Sequence, residues 1–313
     1  MNQSPDSDVL GGVLDRVGAV PVLVDVGASG KAHAPWQPVA RKSVFVGFDP
    51  DSRDIDPTLR ANYAQYKMVP KIVAGQDAAA RSPFFLTAFP HCSSALAPDH
   101  DALKPYLFAD LFKVERQIEI ETTSRAAVMD ELNLPAIDWL KVDSQGIDLS
   151  IILGLDAKRR ERLLCIEVEP GLAPFYQGEQ TFHDINQALV KEGFWLAHLK
   201  VQQFARVQAS TIKQVFGLDV KATDPVARLF GPSPTAAEAR YFPTLESLKA
   251  REAPFRDYVV TWTFAASTGL WGYALDLARA AHENTTDPAQ QATAKFLTNC
   301  VKATVIGLAN QAA

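Results

Sequence analysis

Clusters of apolar residues that end in glycine or acidic turns recur along this chain and predict buried strands. The clearest is VLVDVGASG, from Val22 to Gly30, where mostly β-branched apolar residues lead directly into a glycine turn. A central strand of a parallel sheet has this composition, because both of its faces are buried. Ser43 to Phe48 and Asp138 to Val142 are similar, and segments with helical spacing lie between the predicted strands. Strands that alternate with helices predict an α/β fold with a mostly parallel sheet.

Further elements follow from the same pattern. The predicted strands are Pro70 to Ala74, Phe84 to Thr87, Gln117 to Thr122, Cys165 to Glu169 and Phe194 to Val201, with Val215 to Val220 as a possible antiparallel last strand. The predicted helices include Asp8 to Arg16, Ser124 to Leu132 and Asp184 to Glu192. Side chains alternate along a strand, so Glu167 and Glu169 should point to one face of the sheet.

The last third of the chain predicts a helical appendage. Gly231 to Pro243 is rich in proline and alanine and predicts a linker, so we place a domain boundary between residues 235 and 236, giving domains 1–235 and 236–313. The predicted helices are Leu245 to Arg251, Tyr258 to Ala281 and Asp287 to Leu308. Tyr258 to Leu275 lacks charge but is too polar for a membrane span. Its two apolar stripes predict cover on both sides, by the sheet domain, a lid or a homodimer partner.

Composition narrows the possible partners and location. The 313 residues are 47% hydrophobic and carry a net charge of -5 without a basic run, which disfavours nucleic acid. Cys92, Cys165 and Cys300 are widely spaced, as expected for reduced thiols. The first residues lack the basic and apolar blocks of a signal peptide, so we expect a cytoplasmic protein.

The ends of the first strands supply the first candidate binding residues. Ligands of open α/β sheets bind at the carboxyl ends of the strands. The candidates there are Asp25, Gly27, Ala28, Ser29 and Gly30. Asp49 follows the second strand, where an acid accepts the ribose hydroxyls of nucleotide-like ligands. Asp77, in the next loop, is a candidate acceptor for an exocyclic amine, although it could equally cap its own turn.

Five segments together resemble the FkbM-type methyltransferases, a Rossmann-like branch of the enzymes that use S-adenosylmethionine. They are VDVGASG, GFDPD, FPHCSSALAPD, IDWLKVDSQGIDL and IEVEPGLAPFYQGEQTF, within residues 20–200. The resemblance implies a seven-stranded sheet with an antiparallel last strand. It places the cofactor across the first two strands and the acceptor near the fourth and fifth. Many relatives carry Glu where Gln145 stands.

The distribution of charge points to the same cofactor. We expect five acids to gather at the crevice: Asp25, Asp49, Asp143, Glu167 and Glu169. Such a pocket would repel a pyrophosphate and attract the ammonium and sulfonium of S-adenosylmethionine. The diol of that cofactor suits Asp49, and its ammonium suits Asp25 or Asp143. The chain also lacks the full G-x-G-x-x-G pattern, so an NAD-dependent dehydrogenase is the weaker alternative.

The predicted activity is methyl transfer, with oxygen of a sugar or another small metabolite as the acceptor implied by the resemblance. A hydroxyl acceptor must lose a proton, and Asp143, His91 and His183 are the candidate bases. Each has a structural alternative: Asp143 could only bind the cofactor, His91 could cap a loop, and His183 could start a helix. We predict no metal site, since Asp143, Glu169 and His183 lack dense ligand spacing. A non-catalytic module that binds an adenosyl ligand or a glycan is the alternative from another class.

Overall fold

The computed structural model describes residues 7–28, 33–49, 58–74, 81–124 and 136–312, and these contain two sheets. The larger sheet has seven strands in the order β3-β2-β1-β7-β8-β10-β9, and the smaller has the order β4-β6-β5. The strands are β1 (Val22–Val26), β2 (Val44–Phe48), β3 (Gln65–Val69), β4 (Ile72–Ala74), β5 (Arg81–Thr87), β6 (Val114–Ser124), β7 (Trp139–Val142), β8 (Cys165–Val168), β9 (Phe194–Ala205) and β10 (Pro232–Pro243).

The larger sheet confirms the predicted α/β fold of mostly parallel strands. Strands β1, β2, β3, β7 and β8 pair in parallel, whereas β10 runs antiparallel to both of its neighbours. The chain builds the sheet outward from β1 to β3 and then crosses to β7 on the other side of β1. In open α/β sheets such a reversal of strand order leaves a crevice at the carboxyl ends of the strands, where ligands bind.

Helices cover both faces of this sheet. The described helices are α1 (Ser7–Arg16), α2 (His100–Leu103), α3 (Asp148–Leu153), α4 (Ala157–Arg160), α5 (Phe182–Lys191), α6 (Ala209–Phe216), α7 (Leu245–Ala250), α8 (Phe255–Ser267), α9 (Trp271–Glu283) and α10 (Pro288–Ala312). One face packs against α1 and α8 to α10, and the other packs against α3 and α5. The apolar composition of β1 follows from this double burial, since all five of its residues are buried.

Three predicted elements of the larger sheet are wrong. Its third strand is β3, while Pro70 to Ala74 contributes β4 to the smaller sheet. Val215 to Val220 is not the antiparallel strand, because α6 occupies Ala209–Phe216. That strand is β10, which covers almost all of the predicted linker, so the predicted boundary after residue 235 lies inside it. Ala237 and Ala239 are fully buried in β10, where small side chains fit between two neighbouring strands.

The predicted helix from Tyr258 to Ala281 is two helices. It breaks after Ser267, where the Ser267 and Thr268 hydroxyls donate to the carbonyl oxygen of Phe264. Helix α8 is buried from Asp257 to Ser267, and α9 and α10 of the same chain help to cover its second side. This buried part of α8 therefore leaves no face uncovered for a partner. A homodimer through the C-terminal helices stays a prediction.

Helix α8 is also fixed to the sheet by charge. Arg256 donates from Nη2 to Asp138 Oδ2 over 2.8 Å, and that same oxygen accepts from the backbone N–H of Val22 at 2.8 Å. Asp138 is 1% exposed, so the pair joins α8 to the start of β1 and β7 inside the core. Among the described helices, none is both long enough and apolar enough to cross a bilayer.

Candidate active site

The turn after β1 is held between its two neighbouring strands. The backbone N–H of Gly27 donates to Phe48 at the end of β2 over 2.8 Å, and the N–H of Asp143 donates from the end of β7 to Val26 over 2.9 Å. Gly27 has φ +83°, and a Cβ at this position would overlap the backbone oxygen of Asp143. Glycine is therefore required here because the two backbones approach more closely than a side chain permits.

The acids form a different arrangement from the predicted cluster. Paired positions on four adjacent strands carry Asp25, Lys141, Glu167 and Arg240, in that order from β1 to β10. We call these four residues the charge row. Lys141 Nζ lies 3.0 Å from Asp25 Oδ1, and Arg240 Nε lies 2.7 Å from Glu167 Oε2. Asp25 and Glu167 thus face cations rather than an open, uniformly acidic crevice, which corrects the sequence-based prediction.

The pKa values follow from these contacts. Burial alone would raise the pKa of Glu167, but the adjacent His33 and Arg240 outweigh it and lower the pKa to about 2. Burial would lower the pKa of Lys141, but Asp25, Asp143 and Glu169 raise it above its ordinary value, so the ammonium is retained. The pKa of Asp143 is raised by burial and by Asp25, against the opposing effects of Lys141 and Gln145.

A first cavity of about 420 Å³ lies over the carboxyl ends of β1, β2 and β7. Of the predicted cofactor-binding residues, Gly27, Asp49 and Asp143 line it. The smaller sheet forms another wall through Val73, Phe84, Leu86 and Arg116. The cavity also contains Lys71, so its lining combines acids with two cations. This volume is within the range of small-molecule sites.

A second cavity of about 320 Å³ adjoins the first. His91, Asp143 and Gln145 line both cavities and therefore form the wall between them. The second cavity extends to Glu169 after β8 and to Gln202 and Thr235 on β9 and β10. Two ligands, one in each cavity, would meet at this shared wall. The wall includes two of the three predicted catalytic residues, His91 and Asp143.

Gln145 is held in a strained position within the shared wall. Its φ is +56°, which is uncommon for a residue with a side chain. Its Nε2 donates to Asp143 Oδ1 over 2.7 Å, and its carbonyl oxygen accepts from Ser94 Oγ at 2.6 Å. A glutamate at this position could not donate to Asp143 when ionised. The amide therefore orients the Asp143 carboxylate between the cavities, and its donated hydrogen bond opposes the effect of burial on the pKa of Asp143.

The remaining predicted residues lie elsewhere. Asp25 belongs to the charge row, and the backbone N–H of Ala28 donates to Phe48, with neither residue among the lining of the two cavities. His183 is exposed at the start of α5 and is also absent from both linings. Ser29, Gly30 and Asp77 lie outside the described residues. Within the part of the chain that the structure describes, no group of three His, Cys, Asp or Glu is placed to hold a metal.

Glu169 is the clearest site residue that the sequence-based list of bases omitted. It lines the second cavity, and its backbone N–H donates to Asp148 Oδ2 over 3.1 Å. Burial, followed by the charge of Asp143, raises its pKa to about 8. The sequence predicts that Glu169 lies at the carboxyl end of the same strand as Glu167. It does not predict that Glu167 pairs with Arg240 while Glu169 lines a cavity. The strand pairing that joins Glu167 to Arg240 leaves Glu169 beyond the last paired residue of β8.

The topology and the two adjoining cavities define a Rossmann-like α/β protein with its site at the strand ends. A family model described as the methyltransferase FkbM domain matches residues 40–196, about half of the chain. The chain belongs to the FkbM methyltransferase family, as the resemblance predicted. No curated protein matches the chain significantly. The family match thus identifies a methyltransferase, and the geometry of its own residues supports the more specific proposals below.

Proposed function

We propose that this protein transfers a methyl group from S-adenosylmethionine to an oxygen of a sugar or another small metabolite. The observation that carries the proposal is the wall shared by the two cavities. One cavity lies over β1 and β2, where the resemblance places the donor, and the other reaches β8, where it places the acceptor. His91, Asp143 and Gln145 separate them.

The polar groups that line the first cavity are placed to suit S-adenosylmethionine. Asp49 is buried at the end of β2 and would accept the ribose hydroxyls. Asp143 would face the ammonium, while Lys71 or Arg116 would face the carboxylate of the amino-acid portion. When bound, S-adenosylmethionine supplies an electrophilic methyl group on a sulfonium. The mixed lining suits a ligand with an ammonium, a sulfonium and a carboxylate better than the uniformly acidic pocket that the sequence predicted.

The chain's own residues then have distinct roles. Gln145 fixes the Asp143 carboxylate at the boundary of the cavities, and His91 lies on the same wall. Either group could take the proton of a hydroxyl acceptor, because both line the second cavity. His183 has no such position, so we assign it no proton transfer. The walls of the second cavity would align the acceptor with the donor at the shared wall.

Methyl-labelled S-adenosylmethionine, incubated with the protein and a total metabolite extract, should label a small-molecule fraction. We expect Asp143→Asn to reduce this transfer by about 100-fold or more, since general base catalysis commonly contributes that much. His183→Gln should retain transfer within about twofold, because its ring lies outside both cavities. Absence of label in every fraction would instead favour a non-catalytic module that binds an adenosyl ligand or a glycan.

A further inference from the structure

The second cavity presents aromatic surface to a ligand. Phe108 packs edge-on against Phe175 and Phe204, with ring centroids 5.4 and 5.2 Å apart, and all three line the cavity. Phe204 and Phe89 are 38% and 42% exposed, although both side chains are large and apolar. Exposed aromatic faces in a concave site suit the flat apolar side of a ring.

The charged groups of the same cavity are mostly acids. Asp143, Glu169 and Glu179 line it, and none of the described lining residues is a lysine or arginine. The Glu179 carboxylate already has hydrogen-bond partners within the chain, because its two oxygens accept from the backbone N–H groups of Gly171 and Phe175 at 3.1 and 2.6 Å. Asp143 accepts from Gln145. Glu169 accepts no hydrogen bond from another described residue, so its carboxylate is available to a ligand.

Charged groups on the neighbouring strands and on one helix affect the protonation of Glu169. They are Asp143 and Lys141 at the end of β7, Asp148 on α3, Glu238 on β10 and Lys200 on β9. Burial and Asp143 are the largest effects that raise the pKa of Glu169 to about 8, while Lys141 opposes them. The Glu169 side chain is therefore mostly neutral at pH 6.5 and mostly charged at pH 9.5.

We infer that the second cavity accepts an uncharged, ring-bearing acceptor, and that Glu169, when ionised, excludes acceptors that carry a carboxylate or a phosphate beside the ring. The inference rests on the proposed function, since it identifies the class of acceptor. An anion in this cavity would face Asp143 and Glu169 without a described arginine or lysine in the lining to pair with it. A neutral ring avoids this repulsion and still covers the exposed faces of Phe89 and Phe204.

Two probes that differ in one group test this selection. 4-Nitrophenyl β-D-glucoside is neutral, whereas 4-nitrophenyl β-D-glucuronide carries a carboxylate on the same ring. We expect calorimetry with S-adenosylhomocysteine present to show weaker binding of the glucuronide. The preference for the glucoside should grow by about tenfold from pH 6.5 to pH 9.5 as Glu169 ionises, because like charges within about 10 Å repel strongly in a cavity of low dielectric.

Glu169→Gln should lose the growth of the preference with pH, because its amide does not ionise. Glu238→Gln is the matched control, since Glu238 pairs with Lys200 at 2.7 Å and does not line the second cavity. Removing this charge should lower the pKa of Glu169, so the preference should grow at a lower pH than in the wild type. Unchanged affinity for S-adenosylhomocysteine would show that each variant is folded.

Three outcomes would overturn the inference. They are glucuronide binding as tight as glucoside binding at pH 9.5, the same pH dependence in Glu169→Gln, and no binding of either probe. The titration with S-adenosylhomocysteine tests the proposed function and not the selection by charge. If that ligand fails to bind, the proposed function fails, while the two probes still report whether the second cavity discriminates by charge.

Discussion

Arg240→Met is expected to lower the free energy of unfolding by about 3–5 kcal/mol, as measured by urea denaturation near neutral pH. The guanidinium of Arg240 pairs with Glu167 inside the charge row, where the two side chains are only 10% and 6% exposed. Methionine can keep the packing against Trp139, over which the guanidinium lies at 5.3 Å. It leaves the buried Glu167 carboxylate with His33 as its remaining described partner, 3.1 Å away.

The pH dependence identifies the cause of this loss. In the wild type the pKa of Glu167 is about 2, below its ordinary value of 4.5, so its ionisation contributes stability above pH 4.5 that is lost as the pH falls toward 2. In Arg240→Met the pKa of Glu167 should rise, because burial is no longer offset by the guanidinium. The difference in stability between wild type and variant should therefore narrow as the pH falls from neutrality.

Two further variants separate charge from packing. Lys200→Met removes a cation that pairs with Glu238 at 2.7 Å but is 62% exposed, so its effect should stay within about 0.5 kcal/mol. Arg240→Met combined with Glu167→Gln removes both charges and should recover part of the lost stability. Equal effects of Arg240→Met and Lys200→Met would mean that the charge row does not stabilise the sheet.

Gly27→Ala should destabilise the fold by several kcal/mol and abolish ligand binding in the first cavity. Two costs combine at this position. A residue with a side chain at φ +83° loses about 1–2 kcal/mol, and the new Cβ would also overlap the carbonyl oxygen of Asp143. Relief requires β1 and β7 to separate at their ends, where the N–H of Asp143 donates to Val26 and where Gly27 and Asp143 line the cavity.

Gly18→Ala is a matched control for this variant. Gly18 also has a positive φ, +59°, but nothing lies within 4 Å of the position that a Cβ would occupy. It should therefore show only the conformational cost, about 1–2 kcal/mol. Thermal unfolding of both variants isolates the effect of the contact with Asp143. Equal losses in the two variants would contradict the close approach of β1 and β7.

The sequence predicts the strand ends of the site because their signals are local. The apolar run before Gly27 and the acid after β7 each lie within a few residues, and the parallel arrangement then brings both to the same edge of the sheet. Strand β10 gives no such signal. Its prolines and alanines resemble a linker, and only its position between β8 and β9 explains why small residues such as Ala237 and Ala239 are fully buried there.

The charge row could not be predicted without the strand order. Asp25 and Lys141 are 116 residues apart in sequence, as are Val22 and Asp138, and they meet only because β7 pairs with β1. Arg240 lies in the segment whose composition predicts a linker, so the sequence gives no indication of its pairing with Glu167. Because these cations lie beside the acids, the crevice is less acidic than the sequence alone suggests. Of the five predicted acids, Asp49 and Asp143 line the first cavity.

Calorimetric titration with S-adenosylhomocysteine and with NAD, on the wild type and on Asp49→Ala, tests the proposed donor site most directly. We predict that S-adenosylhomocysteine binds to the wild type, that NAD binds much more weakly, and that Asp49→Ala weakens S-adenosylhomocysteine by roughly 10- to 100-fold through loss of hydrogen bonds to a charged group. NAD binding as tight as that of S-adenosylhomocysteine, or an Asp49→Ala variant with unchanged affinity, would contradict this account of the site.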